Sequence, residues 1–174
     1  SGCEAVINLV GILNDSDREG RGFRRIHVEL VERIVDAGRK AGVRRLLHMS
    51  ALNASAGKGT SRYLRSKGEG ESQAHVRAHS SMEVTSFRPS VIFGPGDGLF
   101  NRFAALLPLT PGIFPLACAG TRFQPVYVGD VAEAFARALS DSDTSDRHYD
   151  LCGPRIYTLK ELVEYTARVT GKKV

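Results

Sequence analysis

"VRRLLHMSALNASAGKGTSRYLRSKGEGE", residues 43–71, passes from an apolar run through a loop of small residues into a charged segment. The run "VRRLLHMS" (43–50) has the length and composition of a strand buried in a sheet, and "ALNASAGKGT" breaks any period. A helix is predicted from about Ser61 to His79. Upstream, "AVINLV" (5–10) is a second short β-rich run, hydrophobic on both faces like a central strand of a parallel sheet, and it ends at Gly11. Between the two runs, Phe23, Ile26, Leu30, Ile34, Ala37 and Ala41 recur at three- and four-residue steps, which predicts an amphipathic helix over 22–41 closed by Gly42. Downstream, "MEVTSFRP" (82–89) makes a third strand. The connections are too long for hairpins, so this β-α-β-α-β order implies a parallel α/β sheet.

Beyond Pro89 the pattern changes to the Gly/Pro loop "SVIFGPGDGLFNR" and then to "FAALLPLTPGIFPLACAG" (103–120), which holds no charge. Its prolines and glycines forbid a continuous spanning helix, leaving either a buried loop or an exposed docking surface. "FQPVYV" (123–128) alternates as a strand. "DVAE" (130–133) and "TLKE" (158–161) have the form of helix capping boxes, the second opening a helix over 159–170. On that spacing Asp130 reads as a cap rather than a catalytic acid.

The chain has 174 residues, 42 % hydrophobic and 25 % charged, a composition that suits a soluble domain with a substantial core. Cys3, Cys118 and Cys152 form no CxxC pair, so neither a disulfide framework nor a zinc knuckle is indicated, and a reducing cytosolic compartment fits. Cys118 and Cys152 read as small core residues. The net charge of +5 gathers in "REGRGFRR" (18–25) and "RKAGVRR" (39–45), read as a solvated basic face because no base-reading motif accompanies them. No nucleic-acid partner is expected.

Tyr63 and Lys67 lie four residues apart, so on a helix they share one face. A phenol with a pKa near ~10 needs a drop of roughly 3 units, or ~4 kcal/mol, to exchange protons near neutrality. One ammonium ~4 Å away supplies an attraction of that order. The pair is a weak signal by itself. Its context strengthens it: Ser50 ends the second strand and the Tyr63 helix follows the next loop, which brings both to the carboxyl edge of the sheet, where open α/β folds bind ligands.

Ser50, "YLRSK" with Tyr63 and Lys67, "FRPSVIFGPGD" (87–97) and "FQPVYVGDVAEA" (123–134) resemble successive landmarks of the extended and atypical short-chain dehydrogenase/reductase superfamily, the NAD-dependent epimerase/dehydratases included. More narrowly, "INLVGIL", "HMSALNA", "SRYLRSK", "FNRFA" and "QPVYVGDVA" resemble the group that contains the dehydrogenase-like accessory subunit of respiratory complex I and its bacterial relatives. The resemblance implies that the chain is the C-terminal portion of a doubly wound, Rossmann-type α/β domain with a small mixed α/β substrate-side region. It divides as a partial dinucleotide-binding domain over 3–91 and a substrate-side region over 92–174, interleaved with the sheet. Carried over position by position, Tyr63 is the general acid/base, Lys67 binds the nicotinamide ribose and lowers the tyrosine pKa, and Ser50 orients the substrate. Asn8, Leu9, Val10 and Gly11 line the adenosine side, and Pro89, Ser90 and Val91 meet the carboxamide. Many extended members have asparagine where this chain has His27, which otherwise reads as a packed helix residue.

The superfamily's glycine-rich turn after its first strand has no counterpart here, since "GPGDG" (94–98) lies outside any βαβ unit. The chain reads as starting at the family's fourth strand, which leaves "AVINLV" as an exposed apolar edge that invites association. The implied cofactor is NAD or NADP, with the resemblance leaning to NADP, and a complete site needs the strands upstream. Two functions stay open: oxidoreductase or sugar-nucleotide epimerase/dehydratase-type chemistry on a small-molecule substrate, or a non-catalytic, nucleotide-holding accessory or assembly role. The second brings a respiratory-complex or membrane-surface partner, at the inner face of the cytoplasmic membrane; a homo-oligomer is the further alternative. Glu71, His75 and His79 share a helical spacing that could converge on a metal, but no fourth ligand accompanies them, and no metal site is assigned.

Overall fold

The computed structural model describes residues 2–109 and 114–172. Packing divides the chain into two compact units, one formed by the residues up to Pro89 together with Glu133–Leu151, the other by Ser90–Ala132 together with the chain from Cys152 onward.

The first unit is a four-stranded parallel sheet in the order β1-β2-β3-β7. Its strands are β1 (Ala5–Asn8), β2 (Arg45–Met49), β3 (Glu83–Pro89) and β7 (His148–Leu151). The register aligns Val6 with Leu46 and Leu46 with Val84, and two residues on, Asn8 with His48 and His48 with Ser86. Side chains alternate across a strand, so these six residues line one face. That face is apolar where the strands begin and polar toward their carboxyl ends.

Two helices cover it. The first opens with α1 (Arg21–Phe23), passes through a π-helical turn (Arg24–Glu29), and continues as α2 (Leu30–Lys40). Asp15 starts it by accepting the Phe23 N–H at 2.8 Å. Gly42, at φ +73°, ends it in the left-handed region. The second is α3 (Arg62–Ala78), capped by Ser61, whose Oγ accepts the Leu64 N–H at 3.1 Å. Val31, Val35, Leu46, Ala74, Ala78, Met82 and Val84 form the apolar core between helices and sheet.

The opposite face meets the part of α5 (Val128–Ser140) that belongs to this unit. Phe87 packs on Phe135 with ring centroids 4.4 Å apart. Arg45 is buried and donates to Thr85 Oγ1 at 2.7 Å, the Ala138 carbonyl at 2.9 Å and Thr144 Oγ1 at 2.5 Å. Of the basic run 39–45, Arg45 is therefore a structural cation rather than part of a solvated face.

The second unit pairs β4 (Ile92–Phe93) with β6 (Val126–Tyr127) in parallel, and β5 (Arg122–Phe123) with β8 (Tyr157–Thr158) antiparallel. The single strand expected over 123–128 is thus two, split at Pro125, which has no N–H for a ladder. Helix α5 starts at Val128, so Asp130 lies in its first turn instead of capping it. The Thr158–Glu161 capping box is present and opens α6 (Leu159–Val169).

At the start of the uncharged stretch, α4 (Phe100–Leu106), which begins just before it, leads into a 3₁₀ turn (Leu107–Leu109). Leu107 is buried with Val163 and Ala167, and Phe103, Phe114 and Leu116 pack on them, while Leu106 and Leu109 are exposed. Residues 110–113 of that stretch lie outside the described residues. Cys118 is exposed in a turn, not in a core; Cys152 is half-buried.

β1 is an outer strand of the sheet with Ile7 exposed, and Leu9, Val10 and Leu13 beyond it are exposed as well. Among the described residues no helix is long and apolar enough to cross a membrane.

Helix α3 approaches the π-helical turn so closely that a Cβ on Gly70 would lie 1.8 Å from the His27 carbonyl oxygen. Backbone cannot yield as a side chain end can, so Gly70→Ala is expected to destabilise the protein by about 3 kcal/mol or more. Gly57→Ala, with open space around it, is the matched control. Urea denaturation of both variants checks this; equal midpoints would refute it.

Candidate functional site

Ser50 follows β2 and continues its pairing, its N–H donating to the Phe87 carbonyl at 2.7 Å; Leu52 N–H then donates to the Pro89 carbonyl at 2.9 Å. The side chain is 3 % exposed and its Oγ has no hydrogen-bond partner among the described residues. A buried hydroxyl without a partner costs about 1–3 kcal/mol, which makes this atom an unfilled donor and acceptor at the carboxyl end of the sheet.

Lys67, one turn into α3 from Tyr63, is 5 % exposed, and its Nζ donates to the Met49 carbonyl at 2.6 Å. The bond ties the helix to the last residue of β2, next to Ser50. It uses one of three ammonium donors. Burial pulls the Lys67 pKa down to about 8, against the opposing charge of Glu71 one turn further on.

Tyr63 is half-buried, its ring 5.5 Å edge-on from the His27 ring and 6.1 Å from Phe23. Burial pushes its phenol up. The expected lowering by Lys67 is thus not what the fold produces: the ring's burial disfavours the phenolate, and the ammonium is directed at a backbone carbonyl.

The loop after β1 completes this edge. Asn8 is buried; its Nδ2 donates to His48 Nδ1 at 3.1 Å, and its Oδ1 accepts the Val10 N–H at 3.2 Å. His48 is pushed down to about 3, first by burial and then by Lys67, and its Nε2 has no partner among the described residues. Leu9 and Val10 are exposed. A Cβ on Gly11 would lie 3.6 Å from both Lys67 Nζ and His27 Nε2, ordinary van der Waals contact, which places this residue directly beside the ammonium. Ile12 N–H donates to His27 Nε2 at 3.1 Å.

Asn8, Gly11, Ser50, Tyr63, Lys67 and Pro89 all belong to the first unit, whereas Ser90 and Val91 belong to the second, where the Val91 carbonyl accepts the Val126 N–H at 2.9 Å. The residues that sequence reading passed over are His48, Ser66 and Ile12. His48 sits inside an apolar strand run and Ile12 contributes only backbone, so neither carries a motif. Ser66 was legible only as a residue one helical turn from Tyr63.

The helical series Glu71, His75 and His79 serves other ends. Glu71 is buried and accepts two bonds from Arg88, Nη2 at 2.6 Å and Nε at 2.9 Å. His75 Nε2 lies 2.9 Å from Ser86 Oγ, and His79 is exposed. Among the described residues no cluster could hold a metal ion.

Among known proteins, the family described as NAD dependent epimerase/dehydratase matches residues 1–152. The chain is 37 % identical over 169 residues to the mouse (Mus musculus) "NADH dehydrogenase [ubiquinone] 1 alpha subcomplex subunit 9, mitochondrial", covering 96 % of this chain and 43 % of that protein. It is 30 % identical over 170 residues to the Neurospora crassa "NADH-ubiquinone oxidoreductase 40 kDa subunit, mitochondrial", covering 98 % and 43 %. The chain therefore spans less than half the length of these relatives. Among solved structures, MoeE5 in complex with UDP-glucuronic acid and NAD superposes with a TM-score of 0.86 at 20 % identity, over 98 % of this chain and 63 % of that one. At that identity the likeness is one of fold. The lean toward NADP finds no support in these names, which mention NAD or NADH, and the mitochondrial relatives do not match a cytoplasmic location.

The buried lysine makes a prediction. Between about pH 8 and 10.5 the unfolded chain retains a proton at Lys67 that the folded chain has released. The unfolded state then binds more protons, so stability gains a contribution that grows as pH rises through that window, by up to about 3 kcal/mol. Denaturant melts across the window, compared with Lys67→Met, should show the extra slope in the native protein alone.

Proposed function

This chain belongs to the NAD dependent epimerase/dehydratase family, and from that premise we propose that it holds part of an NAD(H) or NADP(H) site in a nucleotide-binding subunit of a respiratory NADH dehydrogenase assembly. The observation that carries the reading is Lys67, a buried ammonium at the strand ends with two donors beyond its bond to Met49 and with Gly11 beside it. The partnerless Ser50 Oγ supports the same placement. In this reading Lys67 holds the nicotinamide ribose, Asn8, Leu9, Val10 and Gly11 line the adenosine side, and Pro89 offers its backbone to the carboxamide. The assembly role is supported by the relatives' names and by the share of the chain over which they match.

A second reading is favoured by a specific observation, the presence together of Ser50, Tyr63 and Lys67. Bound NAD(P) would supply the hydride acceptor or donor for oxidoreductase or epimerase-type chemistry. Ser50 would donate to a substrate carbonyl, and Tyr63, held neutral by burial, would give it a proton. Taking a proton from a hydroxyl instead requires the phenolate, which burial opposes until more positive charge arrives.

The intact protein decides between these readings. Titration with NADH and NADPH, turnover against carbonyl and sugar-nucleotide substrates, and recovery with membrane-bound NADH dehydrogenase are each measured for the native protein, Tyr63→Phe and Lys67→Met. The holding role predicts affinity within about threefold of native in Tyr63→Phe, a loss of about tenfold or more in Lys67→Met, and no turnover. Turnover that falls by about a hundredfold in Tyr63→Phe would establish the second reading instead.

A further inference from the structure

One buried side chain joins two elements that border the proposed site without belonging to the Ser50, Tyr63 and Lys67 set. His27, in the π-helical turn, has both ring nitrogens engaged: Nε2 receives the Ile12 N–H at 3.1 Å, and Nδ1 lies 2.8 Å from Ser66 Oγ. The Ser66 hydroxyl donates its own proton to the Tyr63 carbonyl at 2.9 Å. These bonds fix their own directions. A backbone amide only donates, so Nε2 bears a lone pair; the Ser66 hydrogen is already committed, so its oxygen accepts; Nδ1 therefore carries the ring hydrogen. The ring stacks on Phe23 at 5.4 Å and meets the Tyr63 ring edge-on at 5.5 Å.

The charged and titratable groups around the ring favour neutrality. Burial and Lys67 on α3 bring its pKa down to about 4, opposed by Asp15 in the loop before α1, while His48 on β2 interacts with it from the sheet. Protonation at Nε2 would expel the Ile12 N–H and open the bridge. π-Helical turns recur at functional sites, and this one sets the His27 carbonyl against Gly70 while its side chain reaches the first turn of α3.

We propose that His27 is a positioning residue that, as a neutral Nδ1–H ring, holds the loop Leu9–Ile12 to the first turn of α3 and so sets the separation between the Gly11 backbone and the Tyr63–Lys67 face. The proposal rests on the reading that this face borders a dinucleotide. His27 itself passes no proton, because both nitrogens are committed to the bridge.

The test uses the intact protein with ¹⁵N-labelled histidine. The His27 signals are expected to report a protonated Nδ1 and an unprotonated Nε2, unchanged from about pH 8 to about pH 5.5; an Nε2–H ring, or a charged ring in that range, overturns the proposal. Two variants extend it. His27→Gln retains one acceptor and one donor, and His27→Leu retains neither. In His27→Leu the Ile12 amide should exchange with solvent about tenfold faster and NADH should bind about tenfold more weakly, with His27→Gln returning both to within about threefold of native. Unchanged Ile12 exchange in His27→Leu overturns the bridge, and unchanged NADH affinity overturns its positioning role. If native protein binds no NADH, the dinucleotide reading falls, while the ring signals and Ile12 exchange still decide the bridge. Should His27→Leu fail to fold, the ring signals of the native protein by themselves support or overturn the bridge, and His27→Gln tests the positioning role.

Discussion

A lysine ammonium buried against a backbone carbonyl is the constraint from which the rest of the site follows. Lys67 cannot leave its charge unsolvated away from water, and the Met49 carbonyl at the end of β2 is the acceptor that the fold offers at 2.6 Å. That bond fixes the rotation of α3 about its axis. Once the rotation is set, Glu71 one turn later faces Arg88, His75 faces Ser86, and Ala74 and Ala78 fall on the apolar core. The helix thereby matches the sheet along its length, polar against the carboxyl ends of the strands and apolar against their beginnings.

The same rotation explains the glycines of α3. A Cβ at Gly68 would come within 2.4 Å of the Ser55 backbone, and one at Gly70 within 1.8 Å of the His27 carbonyl. Each weakens the helix by about 1 kcal/mol relative to alanine. The close approach they permit places the Tyr63 end of α3 where His27 and Ser66 reach it. A helix set further out by even a methyl group would leave several buried polar atoms without partners, a cost larger than the helix propensity lost.

Much of the architecture was legible. The three strands, the two helices between them and the Gly42 stop follow from apolar periodicity and from one residue that tolerates positive φ. The Thr158–Glu161 capping box was readable because its bonds are local. The similar spacing at Asp130–Glu133 misled, since helix α5 starts at Val128, and a spacing alone does not say which residue lies outside the helix. Likewise "FQPVYV" alternates as a strand, yet Pro125 divides it. Arg45 reads as surface charge beside Arg44, and its burial depends on Thr85, Ala138 and Thr144, the last two nearly a hundred residues away.

The sequence by itself determined the order of strands and helices, the parallel α/β class, and the sharing of one helical face by Tyr63 and Lys67, because these depend on spacing and on local backbone preference. Only the tertiary structure decided the protonation of that face. It raised the tyrosine instead of lowering it, drew the lysine toward neutrality, and gave His27 its bonds to Ile12 and Ser66. Ionisation and hydrogen-bond direction depend on which groups are taken out of water together, and that is settled by contacts between segments far apart in the chain.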